Sequence, residues 1–500
     1  MSCGIAEVYL PCSFSLVRIT GDSTLRRLGC LHLAEDERFT PTPMAFFEKK
    51  KRGSDRPTKA MRRSTDQPGK DEANPLPALR SVSAEMISLN AEKRGQPDPE
   101  ESGMVLHDPD HFAANPVVLT HSAFAIAVLF DGQRTAEDVA AEFKALYGQE
   151  VDLKNIEKLA EELDGSLFLD SPRFREEVRK LLLLYLSTPV RPAAHADLSY
   201  PSDPEKLREQ VATFFTSQDG PGLLPDRPVA SSDTVRGLIL PHIDLRVGGA
   251  TYAHGYKALL EQSQADLIVV LGVAHRAPSS GTFFVSAKDF ATPVGPVRTQ
   301  RGIAQRLQAV AGVDTAVAEY AHKEEHSVEF QAVLLATLLQ EKAGRELEMV
   351  PILCGSPDPY FEQKKNPAHA EDFVRFADAL RNELEKSKRR WCIMASVDLS
   401  HVGPKFGHAT NITEKVLLPV ERADRKMLAK LELLDPNAFY GEFTRTEPPN
   451  SRHVDAVMPV LLMLTVGRGL FKQTRLLHYD QMLEPPTKSA VTFATMAFDQ

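Results

Sequence analysis

Four short β-type runs constrain this chain more than any other feature: Val235 to Leu240, Leu267 to Leu271, Glu348 to Leu353 and Cys392 to Ser396. They are mainly apolar and lack the alternation of a strand with one wet face, so both faces are expected to be buried. Helical patterns separate them, and each run leads into a loop carrying polar residues. The pattern predicts an α/β fold, a mainly buried mixed sheet with helices on each side.

At 500 residues the chain exceeds what one hydrophobic core usually serves, so more than one domain is expected. Residues 1–75 show no sustained apolar period, and the stretch EKKKRGSDRPTKAMRRSTDQPGKDEANPLP is rich in charge, Pro and Gly. Such a segment buries too little surface to offset its ordering entropy, and it reads as a disordered tail.

Residues 76–186 carry apolar-periodic helices. Phe124, Ile126, Ala127 and Phe130 share one face, and Asp131-Gly132 stops that helix. Thr135 caps a second, with Asp138 completing a capping box and Val139, Phe143 and Leu146 as its apolar stripe. A third helix carries Ile156, Leu159 and Leu163, Ser166 to Asp170 reads as a closing strand, and Phe174 to Leu186 as a linker helix. This is a winged-helix layout. Four prolines within PVRPAAHADLSYPSDP then mark a boundary, placing the α/β domain at 189–500.

A formal charge of −9 and a pI near 6.0 argue against nucleic-acid binding, which needs a basic face. The second helix of the small domain has more acids than bases where phosphates would sit. The apolar runs are far shorter than the roughly 20 residues a membrane span takes, and no secretory leader is read. Five scattered cysteines without CxxC spacing suit a reducing compartment, so the expected location is the cytoplasm.

The chemistry-bearing residues follow the strands, where open α/β sheets place ligands. Pro241-His242 follows the first, then Gly248-Gly249 and a helix with His254. Gly272 and His275 follow the second. Val397-Asp398-Leu399-Ser400-His401 follows the Cys392 strand, and Ser451-Arg452-His453-Val454-Asp455 opens an apolar helix, Ala456 to Leu464. Lys323 to Glu329 adds further candidates, among them His326 and Glu329. Imidazoles and a carboxylate converging on one sheet edge are costly to desolvate without a metal, substrate or hydrogen-bond partner. Neither GxGxxG nor GxxxxGK[ST] occurs at the Gly248-Gly249 turn, and Ser327 has no oxyanion-hole signature.

Five blocks, in order, resemble the Memo family, whose bacterial members are called AmmeMemoRadiSam system protein B: HADLSYPSDPEKLREQV, LILPHIDLRVGGATYAHGYKAL, VVLGVAHRAPSSG, KEEHSVEFQAVLL with VPILCG, and MASVDLSHVG. The resemblance implies a fold similar to class III extradiol ring-cleavage dioxygenases and a pocket of two histidines and one cysteine, with an aspartate and a further histidine nearby. By motif these are His242 and His275, with Asp398 and His401 beside them. The DGQRT segment and the acidic helix after it resemble PqqD-like peptide-binding domains.

The chain departs from the family pattern at the cysteine. The family's Cys-Gly followed by Pro-Ile-x-x-Leu-Leu falls, without gaps, on His453-Val454 followed by Val457 to Leu462, which predicts His453 as third ligand beside His242 and His275. Imidazoles suit iron(II), ranked first, then zinc, and loss of the thiolate disfavours copper. Asp455 offers iron(II) a two-histidine-one-carboxylate alternative, Asp398 would fix a histidine tautomer, and His401 would act as general acid or base. Two functions follow: a metal-dependent oxidoreductase, dioxygenase-like, or a non-catalytic adaptor whose pocket grips a peptide while the winged helix recruits a radical S-adenosylmethionine enzyme.

Overall fold

The computed structural model describes residues 18–19, 75–80, 83–88, 102–108, 112–113, 115–224, 228–277 and 281–500. Apart from Arg18–Ile19, which pair in parallel with Ser83 and Ala84, and Pro75, the expectation for a disordered tail lies outside the described residues. The chain divides into two compact units, Met1–Leu181 and Leu182–Gln500.

In the smaller unit the strands Ser83–Ser88, Ser102–His107 and Val117–Thr120 form an antiparallel sheet. Helices His121–Ala127, Ala136–Tyr147 and Leu153–Gly165 follow it. The second helix begins with the capping box of Thr135 and Asp138, which satisfies two otherwise orphaned backbone N–H groups. Two sequence expectations need correction. Ser166 to Asp170 is not a strand: Leu167 takes φ 66°, and only Leu169 bridges to Leu79. Leu146 is 58% exposed, because the ring that closes the last turn of its helix onto Phe143 belongs to Tyr147, 4.8 Å away between centroids.

The larger unit runs through α1 (Pro204–Thr216), β1 (Val235–Leu240), α2 (Leu245–Gln262), β2 (Leu267–Val273), α3 (His326–Leu334), β3 (Glu348–Cys354), α4 (Glu371–Ser387), β4 (Trp391–Ser396), α5 (Glu414–Leu431), α6 (Val457–Val466), β5 (Gln473–Glu484) and β6 (Ser489–Asp499). Its sheet places β3, β2, β4 and β1 side by side and parallel, in that order. β6 then adds antiparallel to β1, and β5 antiparallel to β6, making the sheet mixed.

Both faces are covered, as the missing alternation requires. Leu267, Val269 and Leu271 of β2 enter one core with Phe373, Phe376 and Leu380 of α4 and Leu461 and Leu462 of α6. Ile268 and Val270, pointing the other way, enter a second core with Tyr252, Tyr256 and Leu259 of α2 and Val328 and Phe330 of α3. Each fully buried aliphatic side chain contributes roughly 1.5–3 kcal/mol, so the sheet is a rigid platform. Because its four central strands are parallel, the loops after β1, β2 and β4 emerge at one edge.

Gly248 and Gly249 lie inside α2, whose first residue is Leu245, and not in a turn before it. An ideal Cβ on Gly249 would stand 2.3 Å from Cδ1 of Phe214, so this glycine exists for the close packing of α1 on α2.

Candidate metal centre

His242 follows β1 directly and is buried, His275 follows β2, and His326 is the first residue of α3. One nitrogen from each of these three imidazoles lies within 4.8 Å of the other two. The rings of His275 and His326 stack, 4.9 Å between centroids, and His242 stands edge-on to both at 5.1 Å.

The surrounding groups determine which ring nitrogen is free. His242 Nδ1–H donates to the Ser396 carbonyl at 3.0 Å, leaving Nε2 to face the site. His275 Nδ1–H donates to the Glu325 carboxylate at 3.0 Å, which likewise presents Nε2. Glu325 also accepts the backbone N–H groups of His275 and of Ser327, so it caps α3 and orients His275 at once. A buried carboxylate behind a ligating histidine is the usual device for fixing its tautomer. Against the effect of burial, His275 and His326 hold the Glu325 carboxyl well below the usual range. Burial, aided by the neighbouring His242, pushes His326 down to about 3, so this imidazole is neutral and free to ligate.

On the opposite side stand two carboxylates. Asp398 Oδ1 accepts the backbone N–H groups of His242 and Ile243 at 3.0 and 3.2 Å, fixing the turn after β1. Asp455 Oδ1 accepts the N–H of Asp398 at 2.9 Å, and its Oδ2 lies 3.1 Å from His242 Nε2. That Oδ2 is buried and makes no hydrogen bond of good geometry. Burial lifts the Asp398 carboxyl above its ordinary range, whereas His242 overrides burial at Asp455 and holds it low. Burial depresses His242, but Asp455 and Asp398 outweigh it and raise its pKa to about 10.

His453 is not brought to this point. It has φ 50°, a left-handed turn that sends its exposed side chain away, and its ring packs edge-on against His408 at 4.9 Å. Its backbone carbonyl is what serves the site, accepting from His401 Nδ1 at 3.1 Å. The third imidazole at the cluster is His326, and the residue of the Ser451 to Asp455 segment that turns inward is Asp455. His401 lies at the rim, its N–H bound to the Arg452 carbonyl and its Nδ1–H shared between the carbonyls of Leu399 and His453. His254 is elsewhere, stacked on His478 at 4.6 Å. The sequence offers His326 among the candidates of Lys323 to Glu329 but assigns it no ligand role, and it does not single out Glu325.

The donor set suits a divalent cation. Three imidazoles converge, two of them with tautomers set by Ser396 and Glu325, and the buried Asp455 Oδ2 faces His242 Nε2 at 3.1 Å. A cation bound at Nε2 would take the place of the proton that otherwise joins His242 to this carboxylate.

The family model described as Memo-like protein matches residues 191–497. A MEMO1 family protein of Aquifex aeolicus is 28% identical over 79% of this chain and 95% of its own, which extends the likeness beyond that match into the smaller unit. One from Thermus thermophilus is 28% identical over 73% of this chain and 98% of its own, and one from Thermococcus onnurineus 26% over 62% and 99%. With its central sheet, its edge of histidines and a match over more than half its length, the chain belongs to the Memo-like family.

Proposed function

We propose that the larger unit is a metal-dependent oxidoreductase domain, with one divalent metal, iron(II) first and zinc second, held by His242, His275 and His326 and approached by Asp455. The observation that carries this reading is the convergence of three imidazole nitrogens within 4.8 Å of one another, with the buried Asp455 Oδ2 3.1 Å from that of His242. A set of histidines with one carboxylate is the donor chemistry of iron(II) centres that keep open positions, and it offers no thiolate for copper(I). When bound, iron(II) supplies one-electron chemistry and a Lewis-acid centre.

The remaining groups belong to the chain. Glu325 and Ser396 hold the ligating rings in one tautomer. Asp398 holds the turn bearing His242, so its role is positioning. His401, with Nδ1 committed to carbonyl oxygens, keeps Nε2 as the nitrogen able to take or give a proton at the rim. His275 is exposed, so the site is reachable from solvent on that side.

Elemental analysis of the untagged full chain tests the reading: close to one metal ion per chain in the wild type, and loss of most of it in His326→Ala. In a second reading the pocket grips a peptide and the smaller unit, into which the likeness to relatives extends, recruits a radical S-adenosylmethionine partner. No described helix is long and apolar enough to cross a membrane; with its acidic balance and absence of CxxC pairs, the chain is proposed to work in the cytoplasm.

A further inference from the structure

Two of the loop motifs each contain a residue that the site leaves unused: Ser400 in Val397 to His401, and Arg452 in Ser451 to Asp455. They meet on a third. Asp424, in the middle of α5, is fully buried, and no sequence motif singles it out. Its Oδ1 accepts from Ser400 Oγ at 2.5 Å and from Arg452 Nη1, and its Oδ2 from Thr492 Oγ1 at 2.6 Å and Tyr479 OH at 3.0 Å. Arg452 Nη1 donates to Ser400 Oγ as well, at 2.8 Å. Ser400 N–H in turn donates to Thr492 Oγ1 at 2.9 Å.

We infer that Asp424 is a positioning residue for the carboxylate side of the metal centre. It joins the two loops that carry His401 and Asp455 to the β5–β6 hairpin. The inference rests on the metal-site reading for its consequence, though not for its geometry.

The path is short. Arg452, held by the Asp424 carboxylate, accepts the His401 N–H on its carbonyl at 2.8 Å. One residue later the chain makes its left-handed turn at His453, whose carbonyl accepts from the His401 ring, and two residues after that Asp455 reaches His242. His401 is thus gripped at its backbone and at its ring by consecutive carbonyls of a loop that the Arg452–Asp424 ion pair ties to α5. Arg452 is partly exposed on its side chain and Asp424 is not at all, so the carboxylate is the fixed end. Its four donors use both of its oxygens, leaving the group no freedom to rotate. A buried charge with one partner removed is left uncompensated, so either substitution is expected to release the loop.

The test uses the full chain with Asp424→Asn, and with Thr492→Val, which deletes one donor and keeps the ion pair in case the first variant folds poorly. In metal-free protein labelled with nitrogen-15 on histidine, the His401 imidazole signals should shift or broaden in Asp424→Asn and, less, in Thr492→Val. Those of His322, whose ring is held by the Phe284 carbonyl, should stay unchanged. In protein titrated with iron(II) or cobalt(II), affinity should fall about 10- to 100-fold in Asp424→Asn, the range for losing a group that orients ligands. A residue that merely stabilised the fold would lower resistance to urea and leave the His401 signals and metal affinity of the folded protein alone. That outcome overturns the inference. If wild-type chain bound no metal, the metal reading would fail, while the histidine signals of the metal-free protein would still decide the role of Asp424.

Discussion

His242 Nε2 and Asp455 Oδ2 stand 3.1 Å apart in the interior, with the other nitrogen of His242 committed to the Ser396 carbonyl. A proton or a cation between them satisfies both. Substituting Asp455→Asn should therefore lower metal affinity while keeping the N–H of Asp398 partnered through the amide oxygen. A loss of roughly 10-fold or more, read by competition with a chromophoric chelator, is expected. Unchanged affinity would mean that Asp455 serves only as a structural acceptor.

Glu325→Gln keeps an acceptor for the N–H of Ser327 and removes the anion behind His275. The expected result separates two roles. Stability should fall by no more than about 1 kcal/mol, the size of a helix cap, while metal affinity falls about 10- to 100-fold. Urea unfolding alongside metal titration checks both.

His453 is exposed and in a left-handed turn, outside the cluster of His242, His275 and His326. His453→Gly should leave metal content unchanged and alter stability by less than about 1 kcal/mol, because relief of the turn is offset by entropy gained in the unfolded chain.

Of the three histidines expected to share a point, His242 and His275 do lie together, joined by His326 and not by His453. The strands, their parallel order at one edge and the placement of His242, His275 and Asp398 follow from apolar runs ending in polar loops. The error at His453 came from matching a linear motif across a turn: a single positive φ decides which of His453 and Asp455 faces inward, and composition does not encode it. His326 was a candidate in the sequence but could not be joined to His242 and His275, because its position depends on α3 packing over β2, a long-range contact, and not on a strand end. Asp424 was hidden entirely, since an aspartate in the middle of an amphipathic helix reads as solvated surface until the residues around it are known.

Acid should act on the fold through His322, which is buried with Nε2–H donated to the Phe284 carbonyl and Nδ1 unpaired. Burial pushes its pKa down to about 4, below the 6.5 of an exposed histidine. Between those values the unfolded chain binds more protons than the folded one, so stability falls as pH drops from 6.5 towards 4. At pH 5 the loss from this group is about 2 kcal/mol. Comparing urea midpoints of wild type and His322→Gln at pH 7.5 and 5.0 should show their difference shrinking by that amount; a constant difference would contradict it.

Gly249→Ala would place a methyl group against the Phe214 ring, 2.3 Å from Cδ1. Overpacking of this kind costs about 1–3 kcal/mol, so the variant should unfold at lower urea with metal content per folded chain unaltered. A neutral substitution would show that α1 yields easily.

The most direct measurement is the metal content of untagged wild type, His326→Ala and His453→Ala, purified identically and normalised per chain. Close to one ion is expected in the wild type and in His453→Ala, and little in His326→Ala. Retention in His326→Ala together with loss in His453→Ala would contradict it.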